Sequence, residues 1–188
     1  MLCAVLPFTF SFLYHLFMPL NGGAQMYNKL LKMDVFGVWY INTIGAILSL
    51  LPAMQCYPTI KLLSLCIYIP TSFATLWMLM HHNTAQHRVI ALTVQYCVRV
   101  AILSFRLCPL SWGHPLSVYY VIAVDCISAP GALVNGLKVP ERLFPGKVDY
   151  FGNGHTIMHI LAFFATALGH NAFLLDMEWT AGRTCPGV

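Results

Sequence analysis

Charge is what this sequence has least of. Only 9% of its 188 residues are Asp, Glu, Lys or Arg, and just six are acidic. A soluble domain carries about 25% charged residues, so a chain that is 59% hydrophobic has too little polar surface to face water. Disorder is excluded by the same shortage, since it needs low hydrophobicity and high net charge. Ten Lys and Arg leave a formal charge of +4, spread thinly along the chain rather than gathered in a patch. No nucleic-acid partner is expected, because phosphate recognition needs clustered basic side chains. The seven cysteines, at 3, 56, 66, 97, 108, 126 and 185, form no CxxC. Most lie inside apolar runs and read as buried thiols.

What the chain does have is apolar length. Its 13 Gly, 11 Pro, 12 Phe and 9 Met make a mixture that membrane helices tolerate. Six stretches approach the roughly 20 residues needed to cross a hydrocarbon core of about 30 Å. Segment A is Met1 to Leu20, B about Val35 to Cys56, and C Leu62 to Met80. Segment D is about Val89 to Phe105, E about Leu116 to Leu137, and F about His155 to Leu175. Backbone groups in lipid must be satisfied locally, and uninterrupted runs favour helices over barrel strands, which would alternate polar and apolar residues. The expected fold is all-α: a polytopic helical membrane protein with six transmembrane helices in a single domain over 1–188, its last helix and tail at about 155–188.

Loop charges orient the segments. Lys29, Lys32, Arg88, Lys138, Arg142 and Lys147 lie in the A/B, C/D and E/F connections, against Lys61, Arg106 and Arg183 on the opposite side. The positive-inside rule puts the first group in the cytosol and the C-terminus outside or in a lumen. Segment A has no basic n-region and no small-residue cleavage site, so it does not read as a signal peptide. It opens in the middle of an apolar run, and the chain is expected to be truncated at its N-terminus.

Ionisable residues at the membrane are costly and mark function. His15 falls in the last turns of segment A, Asp34 opens segment B, and His155 and His159 open segment F, all toward the predicted cytosolic end. His155 and His159 are i,i+4 partners on one helical face. Three imidazoles from two helices supply the ligands of a catalytic zinc site, which keeps one position for water. Asp34 then orients or deprotonates that water. The bland alternatives are interfacial histidines and a chance i,i+4 pair.

Arg99 and Asp125 read as helix-pairing contacts, as a mutual ion pair, or as head-group contacts. His81, His82 and His87 crowd the C/D loop as a solvated face, and His114 is a loop residue. His170 lies eleven residues beyond His159, about 16 Å along a helix, too far for the same site. The E/F connection is dense in turn formers: Pro140 and Pro145-Gly146 favour a bend, and Asn153-Gly154 before segment F offers a cap or a tight approach to the following backbone. It is either a rigid connector or a frame for the site.

The stretch PERLFPGKVDYFGNGHTIMH, Pro140 to His159, resembles the progestin and adipoQ receptor family, which is related to the haemolysin III proteins and, more distantly, to alkaline ceramidases. SFLYHLFM, Ser11 to Met18, and LLKMDVFG, Leu30 to Gly37, continue the likeness in the same order, so that it covers essentially the whole chain. The resemblance implies a seven-helix bundle with segments A to F as its second to seventh helices. It implies zinc held by His15, His155 and His159, with Asp34 as the carboxylate beside the metal. The family commonly has Ser before the first His of the pair, where this chain has Gly154, which removes a hydroxyl able to support the site.

Two functions follow as expectations. One is a receptor of this family whose Zn²⁺ hydrolyses a ceramide-like lipid amide, with Asp34 as the catalytic base or positioning group. The other is a non-enzymatic receptor or lipid-binding scaffold with structural zinc. The partners are membrane lipids, ceramide or another sphingolipid, and protein signalling partners. The expected location is a multi-pass position in the Golgi membrane rather than the plasma membrane or endoplasmic reticulum. A transporter finds no support, since the segments show no internal repeat.

Overall fold

The structure, a computed structural model, describes residues 2–18, 23–82, 84–148 and 151–185, with 2–4 and 85 described by their backbone alone. Pro19 and Leu20 at the end of segment A, and Asp149 and Tyr150 of the family-like stretch, lie outside the described residues. Among the described residues the chain is helical, without strands. The helices are α1 (Leu2–Phe17), α2 (Gly23–Ala53), α3 (Pro58–His81), α4 (Ala85–Leu103), α5 (Ser117–Leu137) and α6 (Gly154–Ala181), with a 3-10 turn at Ser104–Leu107 after α4. Five of them are long and apolar enough to cross a bilayer, and the shorter Val5–Phe17 part of α1 is apolar too. Large apolar side chains such as Phe12, Leu62, Phe73, Val89 and Phe163 stand exposed along them. A surface of that kind suits lipid rather than water. The chain is a multi-pass integral membrane protein. Its helices group into two compact units, one running to Trp112 and including Cys185, the other Gly113–Thr184.

In the first unit α1 and α2 run antiparallel at close range. A Cβ on Gly37 would lie 2.9 Å from Pro7 Cα, so only glycine allows this approach. Phe10 meets Phe36 with ring centroids 6.1 Å apart, and nearer the α1–α2 connection the Tyr14 and Tyr27 hydroxyls are 3.2 Å apart. α2 starts at Gly23, well before the apolar segment that opens near Val35, because its first polar turns continue the hydrogen-bonded helix past the apolar span. Asp34 is therefore inside α2, about 16 Å from its first residue at 1.5 Å per residue.

Further along, Trp39, Leu79 and Ala91 join α2, α3 and α4 in a buried apolar cluster. Beside it lies a polar layer. Trp39 Nε1 donates to Ser72 O at 2.8 Å, the Thr43 and Ser72 hydroxyls meet at 2.6 Å, and Gln95 Nε2 donates to Thr43 Oγ1 at 2.9 Å. Apolar lipid gives helices little reason to associate, so hydrogen bonds of this kind, each contributing about 0.6–2 kcal/mol, fix which faces meet.

The far end of this unit overturns the reading of the cysteines. Cys56, after α2, and Cys185, in the C-terminal tail, form a disulfide with Cα atoms 5.4 Å apart. Loop charges assign both residues to the same side of the membrane, as a covalent pair requires. Cys66, Cys97 and Cys126 are exposed, not buried, and Cys108 is half-buried. An apolar run means burial only in a water-soluble protein; on a membrane helix one face of that run meets lipid.

The second unit is the α5–α6 pair and its connection. α5 ends on Lys138 in the left-handed region, φ 53° and ψ 53°, and Val139 N–H donates back to Val134 O at 3.0 Å. After a cis Val139–Pro140 bond the chain turns on itself, with Arg142 N–H to Lys138 O at 2.8 Å and Phe144 N–H to Pro140 O at 3.0 Å. Asn153 then caps α6, its Oδ1 accepting from Thr156 N–H at 2.9 Å and from the Thr156 hydroxyl at 3.1 Å.

Candidate metal centre

Helical spacing puts His155 and His159 one turn apart at the start of α6, and the rotamers bring them together. Their Nε2 atoms are 3.1 Å apart, with the rings perpendicular and 4.6 Å between centroids. Both side chains are half-buried. A tetrahedral zinc with Zn–N bonds of 2.0–2.1 Å places two ligand nitrogens about 3.3 Å apart. The observed pair sits close to that edge length, so these donors fit the ion that the family resemblance implies.

The protein also controls which nitrogen is offered. His155 Nδ1 lies 3.3 Å from Asn135 Oδ1 in the last turn of α5. A carboxamide oxygen only accepts, so this contact favours the tautomer with the proton on Nδ1 and the lone pair on Nε2. Asn135 did not stand out in the sequence, where a lone Asn twenty residues from His155 carries no spacing signal.

Two neighbours fix the backbone beneath His155. Glu141 Oε2 accepts the Gly154 N–H at 2.7 Å, satisfying one of the helix's first unpaired donors with a negative charge at its positive end. A Cβ on Gly154 would stand 2.8 Å from both Val134 O and Val139 O. No side chain fits there as the backbone runs; glycine lets α6 start against the end of α5.

The other two sequence-selected residues belong to the first unit. His15, near the end of α1, is half-buried, its ring edge-on to Tyr14 with centroids 4.9 Å apart. Asp34 is half-buried in α2, two residues before Phe36, whose ring contacts Phe10. Arg99 lies over the Tyr96 ring at 5.0 Å. The C/D-loop histidines pack on aromatic rings, His81 on Trp77 and His82 on His87. His114 sits edge-on to Trp179 in the second unit.

Fold and site define a class: a polytopic, all-helical membrane protein with an HxxxH pair at the start of its last helix. Residues 1–170 match the haemolysin-III-related family, and the chain belongs to it. It is 34% identical over 176 residues to progestin and adipoQ receptor family member 4 of Homo sapiens, covering 94% of this chain and 64% of that protein. The Mus musculus protein of the same name matches to the same extent. A shorter stretch of 61 residues is 45% identical to the adiponectin receptor protein of Drosophila melanogaster, covering 32% of this chain and 14% of that one. The chain thus spans 64% of the length of the member 4 proteins.

Proposed function

We propose that the chain binds one Zn²⁺ through His15, His155 and His159 and hydrolyses the amide bond of a ceramide-like membrane lipid. The observation that carries this reading is the His155–His159 pair, with its Nε2 atoms 3.1 Å apart and His155 Nδ1 engaged by Asn135. His15 is the third ligand by its predicted membrane end and its match to the family motif. Bound there, zinc supplies Lewis acidity toward a carbonyl and a water. Asp34 takes the proton the water gives up and passes it to the leaving nitrogen. The acyl carbon gains the hydroxyl, the C–N bond breaks, and a fatty acid and an amine leave. The acyl chain enters sideways from the bilayer, and the working membrane is that of the Golgi.

The relatives' names favour a second reading, in which the protein is a receptor for a lipid or a protein signal and zinc is structural. Zinc content of the detergent-purified chain and of His159→Ala, followed by release of fatty acid from ceramide, separates the two. About one zinc per chain with turnover, both lost in the variant, supports hydrolysis. Zinc without turnover leaves the receptor reading, and a folded chain without zinc sinks both.

A further inference from the structure

The start of α6 is confined more tightly than a helix end needs to be. Glu141 holds the Gly154 N–H, Asn153 caps from the chain itself, and the carbonyls of Val134 and Val139 close on Gly154. Together these contacts fix the register of α6 against the last turn of α5. The side chain that this register delivers to His155 is Asn135. We propose that Asn135 is a positioning residue for the metal site: by accepting the His155 Nδ1–H it holds the ring in one tautomer and one orientation, with the Nε2 lone pair turned toward His159 Nε2. The inference rests on the metal reading above and adds to it the residue that prepares its first ligand.

The physical reason is that an unsupported imidazole divides its population between two tautomers and several ring rotations, and only one combination presents Nε2 to a metal. A hydrogen bond on the opposite nitrogen selects that combination before the metal arrives. Loss of such a partner typically weakens metal affinity by about 10–100-fold. Asn135 has no competing task in ending α5, because the Lys138 N–H goes to the Asn135 backbone carbonyl rather than to its side chain.

The test is zinc affinity of the full chain in detergent, measured by chelator competition, for the natural sequence, Asn135→Leu, Asn135→Asp and His159→Ala. Asn135→Leu keeps the size but not the acceptor, and binding should weaken by about 10–100-fold with melting in excess chelator unchanged. Asn135→Asp keeps an acceptor and should bind within a few-fold of the natural chain. Equal affinity in a folded Asn135→Leu chain, with zinc still lost in His159→Ala, overturns the role of Asn135 and spares the metal reading. Absence of zinc from the natural chain overturns both. Should Asn135→Leu fail to fold, imidazole ¹⁵N shifts of His155 in the natural chain decide: the Nδ1–H tautomer is expected, and the Nε2–H tautomer contradicts the proposal.

Discussion

The two ends of the α5–α6 unit use buried polar groups in opposite ways. At the end where α6 finishes, Asp176 is fully buried, and its Oδ1 accepts the His114 N–H at 2.9 Å and the Ser117 hydroxyl at 2.7 Å. That carboxylate closes the start of α5. At the end where α6 begins, Glu141, Asn153 and Asn135 take up backbone and ring donors around a histidine pair that stays half-buried, with two nitrogens turned toward each other. A buried carboxylate on a membrane helix would ordinarily be read as functional, yet the Asp176 contacts are with the backbone and hydroxyl that start α5. At the end proposed above to hold metal, the backbone and ring supports surround two imidazole nitrogens that face each other 3.1 Å apart.

The sharpest way to break this comparison is to remove one group from each end. His159→Ala should take zinc from about one per chain to none while leaving melting in chelator close to that of the natural chain. Asp176→Ala should do the reverse. It strands the His114 N–H, while the Ser117 hydroxyl keeps His114 O at 2.8 Å, and should cost about 1–3 kcal/mol of stability with zinc stoichiometry unchanged. Calorimetry and metal analysis on the same preparations read both outcomes. Loss of zinc in a folded Asp176→Ala chain would mean that the two ends are not independent, and the contrast would fail.

A smaller effect is expected from Gly154→Ala, because it presses on the frame and not on the ligands. The added Cβ meets two backbone carbonyls at 2.8 Å, neither of which can swing aside as a side-chain tip would. The gain in helix propensity, about 1 kcal/mol, opposes an overpacking cost of about 1–3 kcal/mol. The clash wins because backbone must move, so the variant should melt lower and bind zinc more weakly than the natural chain. Equal melting and equal affinity would show that α6 can start elsewhere and that glycine is incidental.

How far the sequence could be read follows the range of each signal. Hydropathy is local and strong, and the apolar segments lie on the helices observed, except that α2 continues through polar residues to Gly23, which a hydropathy window cannot see. The His155–His159 pair was legible because one helical turn is a short-range rule, and Asn153 because a cap adjoins its helix. Asn135 and Glu141 were not. Their partners lie 20 and 13 residues away, across a connection whose path no pattern predicts. The tight approach at Gly154 was legible from its type, but not its neighbours, which are carbonyls from the preceding helix end and its connection. The disulfide joins residues 129 apart, and no spacing rule reaches that far.

That disulfide gives the weakest expected effect on the metal site and the clearest on topology. Disulfides persist where the compartment is oxidising, so the α2–α3 turn and the C-terminal tail should face a lumen or the cell exterior. The loop charges point the same way. In sealed vesicles from the secretory pathway, a membrane-impermeant maleimide should leave Cys56 and Cys185 unmodified until a reductant is added. Afterwards it should reach them only from the non-cytosolic side. Cys56→Ser should free Cys185 for labelling without reductant and leave zinc content as it was. Labelling of Cys185 in the natural, unreduced chain would deny the bond. Labelling from the cytosolic side after reduction would invert the orientation, and with it the assignment of the His155–His159 end to the cytosol.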